Sequence, residues 1–305
     1  MSVTTSNEST TRPSPPPTTG MAGQRQGWSP GRVAAYAVLV LGGLLYLAPF
    51  IIQVATSFKT QPDAAANPVS LIPDPFTTEA WETVFGSNPA IDSPVPRWLA
   101  NSFFITTSVT LGRVLLASMA GYALARLRFS GRRIVSAGLL AVLAVPGIVL
   151  LIPKFLVLQR LNLYDTYAGM IVPLFADAVG ILLMKTAFEA VPIELEEAAR
   201  IDGAGFLTRF WRITLPLTVP ALITVVIISF QGSWNEFTFF LVASQDPDLA
   251  TLNLGIARLT AGDLAGGTQF PLKLALATLS LLPIAIVYIF FSRWFTRSIA
   301  TSGIK

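Results

Sequence analysis

The chain contains no cysteine and no histidine, and only 12% of its 305 residues are charged. Without cysteine there is no disulfide, no thiolate nucleophile and no thiolate metal site. Without histidine the commonest general base and the commonest metal ligand are also gone. Most enzyme chemistries lose their usual parts at this point. Charged residues run at half the roughly 25% of ordinary globular domains, while hydrophobic residues reach 52% and the mean hydropathy is +0.61. That balance describes a chain built for a bilayer. The net charge of +4 would suit a nucleic-acid partner only if the basic residues formed one folded patch, and their placement along the chain has a different logic.

A bilayer core of about 30 Å takes roughly 20 apolar residues per helix, so spans are found as apolar runs between flanking charges. Uninterrupted runs lie between Arg32 and Lys59, Arg133 and Lys154, Arg212 and Glu236, and Lys273 and Arg293. Two more runs carry a single interior charge each, Arg113 and Asp177. The pattern predicts an all-α polytopic protein with six spans near 33–56, 99–125, 134–153, 167–184, 213–235 and 273–292. The first run is too long for a signal-peptide core and ends in Val54-Ala55-Thr56, a poor cleavage site, so it is expected to stay as an anchor. Residues 1–30, rich in Ser, Thr and Pro, cannot bury a core and are expected to form a disordered cytoplasmic tail.

Orientation follows from Lys and Arg, which accumulate on cytoplasmic flanks. With both termini inside, 14 of the 21 basic residues fall on the cytoplasmic side and 6 outside, and Arg113 lies within a span. The outer segments hold Asp63, Asp74, Glu79, Glu82 and Asp92. The basic excess is therefore a topology signal and no nucleic-acid footprint. Trp28, Trp98, Trp211 and Trp294 stand beside span ends, where indoles favour the headgroup region.

Between the fourth and fifth spans the segment 190–212 has helix-forming composition. Pro192 suits a first helical position, Glu194, Glu196 and Glu197 place negative charge at the positive end of the helix dipole, and Gly203 ends the helix. A second short amphipathic piece runs from Phe206 to Trp211, before Ile213-Thr214-Leu215-Pro216 enters the membrane. Small residues at Ala198 and Ala199 permit close approach of another surface.

The spacing is more specific than the composition. Glu197-Ala198-Ala199, three residues, Gly203, nine residues, Ile213, one residue and Leu215-Pro216 resembles the EAA motif of ABC importer membrane subunits. Gly121-Tyr122-Ala123-Leu124-Ala125-Arg126, the stretch Pro192 to Ala204, and Gly232-Ser233-Trp234-Asn235-Glu236-Phe237 are similar to the carbohydrate-uptake branch of these permeases. Within that branch the likeness is to the smaller six-span subunit of maltose-type and glycerol-3-phosphate-type importers, over roughly residues 31–305.

The resemblance implies one permease of a type I, binding-protein-dependent importer in a prokaryotic cell membrane. It implies a homologous second permease, a cytoplasmic ATPase dimer and an extracytoplasmic solute-binding protein as partners. By the same resemblance the loop 190–212 would seat in an ATPase cleft, with Glu197 in contact, Ala198 and Ala199 allowing close seating and Gly203 setting the bend. Asp202, Ile213, Leu215 and Pro216 complete the coupling set. The chain has no G-x-x-x-x-G-K-[ST] loop, so ATP and Mg would be bound by the partner ATPase. No cofactor and no catalysis are expected in this chain.

Five residues are candidates for the solute path. Arg113 and Asp177 lie inside spans, where ionisable groups face the bundle interior or a wet cavity. They could line the path, or pair with each other or with a partner subunit. Trp234, Asn235 and Glu236 combine an aromatic ring with an amide and a carboxylate, as a sugar site does. Trp234 would serve equally as an interfacial anchor, and Glu236 as a solvated span end. The prolines Pro146, Pro173, Pro216, Pro220 and Pro283 are expected to bend their spans locally.

The expected function is therefore an ATP-driven importer permease for a sugar or sugar-like solute. A permease of the same architecture for another solute such as a polyamine is the alternative within transport. An ion-coupled secondary transporter is the alternative from another class, although no internal repeat of the kind such proteins use is visible.

Overall fold

The computed structural model describes residues 30–86, 94–262 and 269–302. The expected tail therefore lies outside the described residues, apart from its last position, Pro30, which begins the first helix. Among the described residues the secondary structure is helical throughout. By its internal contacts the chain divides into two units at Ala48 and Pro49.

In the first unit, residues 30–48 form continuous helix with apolar side chains exposed along nearly its whole length, Tyr46 at 80% and Leu45 at 74%. That suits a lipid-facing surface. The same helix, Pro30–Thr56, continues into the second unit. There its end is tied to the sixth span, because Gln53 Nε2 donates to the Thr278 hydroxyl at 3.2 Å.

The second unit is built around the second span, Val95–Arg126. Ala117, Gly121 and Ala125 recur at four-residue spacing on it, a small-residue stripe that lets two membrane helices approach closely. The fourth span supplies the complement. A Cβ on Gly121 would stand 2.7 Å from Met184 Cβ and 2.8 Å from the Lys185 nitrogen. Only glycine fits there. In a bilayer, where burial of apolar surface drives association weakly, this close packing is what holds the spans together.

Three spans expected as single helices are broken. The third, expected over 134–153, is an Arg132–Leu143 arm and a Gly147–Arg160 arm bent by 102°. Proline at 146 disfavours helical geometry at Val145 and has no N–H to continue the ladder. The fourth, expected over 167–184, consists of Tyr167–Leu174 and Ala178–Glu189 at 42°. Asp177 causes that break by leaving the helix and capping the second arm, its Oδ2 accepting the Gly180 N–H at 2.9 Å. The fifth, expected over 213–235, is a Phe206–Leu217 arm bent by 82° from Val219–Trp234. Pro220 cannot donate to the carbonyl of Pro216, and the Thr218 N–H and hydroxyl both turn back to Leu215 O, at 3.0 and 2.9 Å. The sixth runs unbroken from Phe270 to Ser302 around Pro283, longer at both ends than the expected 273–292.

The segment after the first span folds back on itself. Asp63 accepts from Asn67 Nδ2 at 3.0 Å and from the Asp74 N–H at 3.1 Å, while Lys59, 1% exposed, donates to Asn67 O at 2.6 Å. Phe58 stacks between Phe76 and Trp81. Trp98, expected at the headgroup level, is instead buried, with Gly255 directly against its ring. The side chains of Trp28 and Trp294 lie outside the described residues.

Candidate functional site

The segment between the fourth and fifth spans begins with the Ile193–Ile201 helix. Pro192 is its N-cap rather than its first helical residue, with ψ of 131°. At the other end Gly203 adopts φ of +82°. The Gly203 N–H bonds to Arg200 O at 3.1 Å and the Ala204 N–H to Ala199 O at 2.9 Å. This pair of bonds is a Schellman closure, which requires a left-handed residue and so favours glycine. The glycine of the motif thus has a conformational reason.

The three glutamates of this helix have different environments. Glu194 and Glu197 are exposed, whereas Glu196 is 5% exposed. Its Oε2 accepts the Tyr122 hydroxyl at 2.8 Å, and its Oε1 pairs with Arg126 Nε at 2.8 Å. Arg126 also donates to Val191 O just ahead of the helix. Tyr122 and Arg126 are one helical turn apart at the C-terminal end of the second span, so they project from one face. Around them Phe188, Phe206 and Phe210 pack on the Tyr122 ring, with centroids at 5.4, 5.3 and 5.1 Å. Glu189 of the fourth span completes the region, bridging Lys185 at 2.9 Å and Arg132 at 3.5 Å.

Burial of Glu196 decides what the rest of the helix presents. Consecutive helical residues point roughly 100° apart, so Glu197, Ala198 and Asp202 face outward and are exposed, as is Gly203. Ile201 is exposed at 86%, an unusual position for an isoleucine unless something covers it. Ala199 and Ile213 are half-buried, Pro216 is exposed, and Leu215 packs on the aromatic cluster around Tyr122. The motif therefore divides into an outward-facing first part and a second part that contributes to anchoring. Sequence reasoning missed Tyr122, Arg126 and Glu196. Two polar residues one turn apart at the end of an apolar span were the available signal.

The intramembrane charges converge. Arg113 stands near the middle of the second span, and its Nε donates to Leu174 O at 2.6 Å, beside the break of the fourth span. The charges of Asp177 and Glu236 both act on it. Its Nη1 lies 3.4 Å from where a Cβ on Gly232 would be. Each carboxylate is committed to a backbone N–H as well, Asp177 to Gly180 and Glu236 to Phe239, both bonds near 2.9 Å. All three residues are half-buried.

Trp234 does not join them as a free platform. It is 3% exposed, its indole donates to Ser280 O at 3.0 Å, and it lies between Phe230 and Phe103. The ring is enclosed by this chain's own residues and is not open to a sugar. Asn235 is exposed and lines a pocket of about 210 Å³ with Gln53, Ser280 and the apolar residues Phe50 and Ile284.

Asp165 holds the loop ahead of the fourth span to the segment after the fifth. It accepts from the Ser244 hydroxyl at 2.9 Å and from the N–H groups of Gln245 and Asp246 at 2.6 and 3.1 Å. Burial pushes this carboxyl up, but those three donors and Arg258 outweigh it, so it titrates below the ordinary aspartate range.

Broken spans and half-buried charges mark a polytopic membrane protein. Residues 114–301 match the family described as the binding-protein-dependent transport system inner membrane component. The chain belongs to that family. It is 30% identical over 274 residues to the sn-glycerol-3-phosphate transport system permease protein UgpE of Yersinia pestis, covering 88% of this chain and 96% of that one. It is 31% identical over 257 residues to the arabinooligosaccharides transport system permease protein AraQ of Halalkalibacterium halodurans, covering 84% and 90%. Its fold is that of a chain in a bacterial ABC transporter involved in the import of alginate, with a TM-score of 0.75 at 23% identity over 88% of this chain and 99% of that one.

Proposed function

We propose that the chain is one of two permease subunits of an ATP-driven importer for a sugar or sugar-like solute. The observation that carries the proposal is the division of the 193–203 segment. A buried Glu196 fixes the helix to the second span, while Glu197, Ala198, Asp202 and Ile201 stay exposed. Such a surface suits a cytoplasmic ATPase, with Gly203 turning the chain away behind it. ATP and Mg belong to that partner dimer, and an extracytoplasmic binding protein delivers the solute. This arrangement puts both termini on the cytoplasmic side, in keeping with the distribution of Lys and Arg.

The carbohydrate class is supported by the names of the relatives, which concern glycerol 3-phosphate and arabinooligosaccharides. We assign Arg113, Asp177, Glu236 and Asn235 to the solute path and Trp234 to the wall behind it. One cation influenced by two carboxylates favours an uncharged polyhydroxyl group over a phosphate at that point, since hydroxyls satisfy both signs of charge. The test is co-expression with a sister permease, an ATPase and a candidate binding protein. A purified complex whose ATP hydrolysis rises on adding sugar-loaded binding protein supports the assignment. A chain that assembles with no ATPase contradicts it.

A further inference from the structure

The exposed residues of the 193–201 helix account for docking but not for what happens to its motion inside the membrane. By chain connectivity the helix is joined to the fourth and fifth spans. Its covalent link to the fifth span is compliant, because that span is bent by 82° beside Pro220 and its preceding arm contains a π-helical segment, Arg209–Thr214. Its non-covalent link to the second span is stiff. One buried carboxylate there holds two partners on the same helix turn, Tyr122 and Arg126, at 2.8 Å each. The Arg126 side chain is 10% exposed and that of Glu196 6%, and Gly121 beside them is locked against Met184 of the fourth span.

We infer that Glu196 is a positioning residue that grips the inner end of the second span, so that displacement of the 193–201 helix is delivered directly to the span carrying Arg113. In this account Glu196 and its neighbour Glu197 divide the work. Glu197 meets the partner, and Glu196 carries the load inward. The second span and the helix then move as one body, and the bend at Thr218 absorbs the difference toward the fifth span. The inference rests on the importer reading and adds to it the route by which force enters the membrane.

The absence of cysteine makes the test direct. Arg128→Cys on the stretch following the second span and Arg200→Cys on the helix are spin-labelled in the assembled importer. Their separation is measured by electron paramagnetic resonance without nucleotide and after vanadate trapping with ATP. A separation that stays the same in both states supports the inference, and one that changes overturns it. In the Glu196→Gln background the label distribution is expected to broaden and to shift on trapping. Stimulation of hydrolysis by loaded binding protein is expected to fall by roughly fivefold or more, the low end of ordinary coupling factors, with basal hydrolysis retained. Exchanging the pair, Glu196→Arg with Arg126→Glu, is expected to restore part of the stimulation. Equal loss of basal and stimulated hydrolysis in Glu196→Gln would show a merely structural role and overturn the inference. Should that variant fail to assemble, the unsubstituted pair of labels still decides. Failure of the chain to assemble with any ATPase would instead remove the importer reading.

Discussion

The Tyr122 hydroxyl donates to Glu196 at 2.8 Å across 74 residues of sequence, joining the C-terminal end of the second span to the 193–201 helix. Because Arg126 pairs with the same carboxylate, removing Glu196 strands a nearly buried guanidinium. Breaking such a pair from one side costs about 3–5 kcal/mol, whereas replacing both partners with apolar residues is often close to neutral. Glu196→Ala is therefore expected to lower the thermal midpoint of the purified chain markedly. Glu196→Leu with Arg126→Met is expected to recover most of the loss.

Gly203 is held at φ of +82°, where a Cβ costs about 1–2 kcal/mol. Gly203→Val is expected to open the Schellman closure and speed proteolysis between residues 193 and 212. Gly203→Asn is expected to do so less, since asparagine tolerates the left-handed region. Equal cleavage rates for both variants and the parent would contradict the conformational role.

Trp234 and Asn235 are neighbours with opposite expected behaviour. Trp234→Ala empties a packed site between Phe230 and Phe103 and is expected to cost about 3–5 kcal/mol. Asn235→Ala removes an exposed side chain and is expected to change stability by no more than about 0.5 kcal/mol, while reducing solute uptake. Melting curves and uptake measured on both variants separate wall from path.

Asp165 gives the loop ahead of the fourth span an acid sensitivity. Its folded-state carboxyl titrates below the ordinary value of 3.8, so its contribution is fully present above that value and is lost as pH falls through the lower folded value. The link to Ser244, Gln245 and Asp246 is expected to loosen as pH falls through that lowered folded value. Hydrogen exchange at the Gln245 and Asp246 amides should rise there beyond its intrinsic pH dependence, and Asp165→Asn should exchange faster at neutral pH.

Six apolar runs, the small residues of the motif and the stop at Gly203 were legible in the sequence because each is a local property. The breaks in three spans were not. Pro146 and Pro220 announced bends, but bends of 102° and 82° depend on what each arm packs against. Asp177 read as an intramembrane charge, and its capping of a second arm required knowing that the helix had ended. Trp234 has the residue type of a sugar platform, and only Ser280, Phe103 and Phe230, distant in sequence, show that its ring is enclosed. Glu196 was hidden for a related reason. Three glutamates in one helix look alike until Tyr122 and Arg126 select the one that faces inward.

The most direct test of the account is binding-protein-stimulated ATP hydrolysis and solute uptake, measured together in liposomes holding the full complex with Glu197→Lys in this chain. Glu197 is exposed and takes no part in the Glu196–Arg126 pair, so the chain is expected to fold and insert normally. Uptake is predicted to collapse while the ATPase still binds nucleotide, because the outward face of the helix no longer engages its partner. Uptake and stimulated hydrolysis at parental levels would contradict the account.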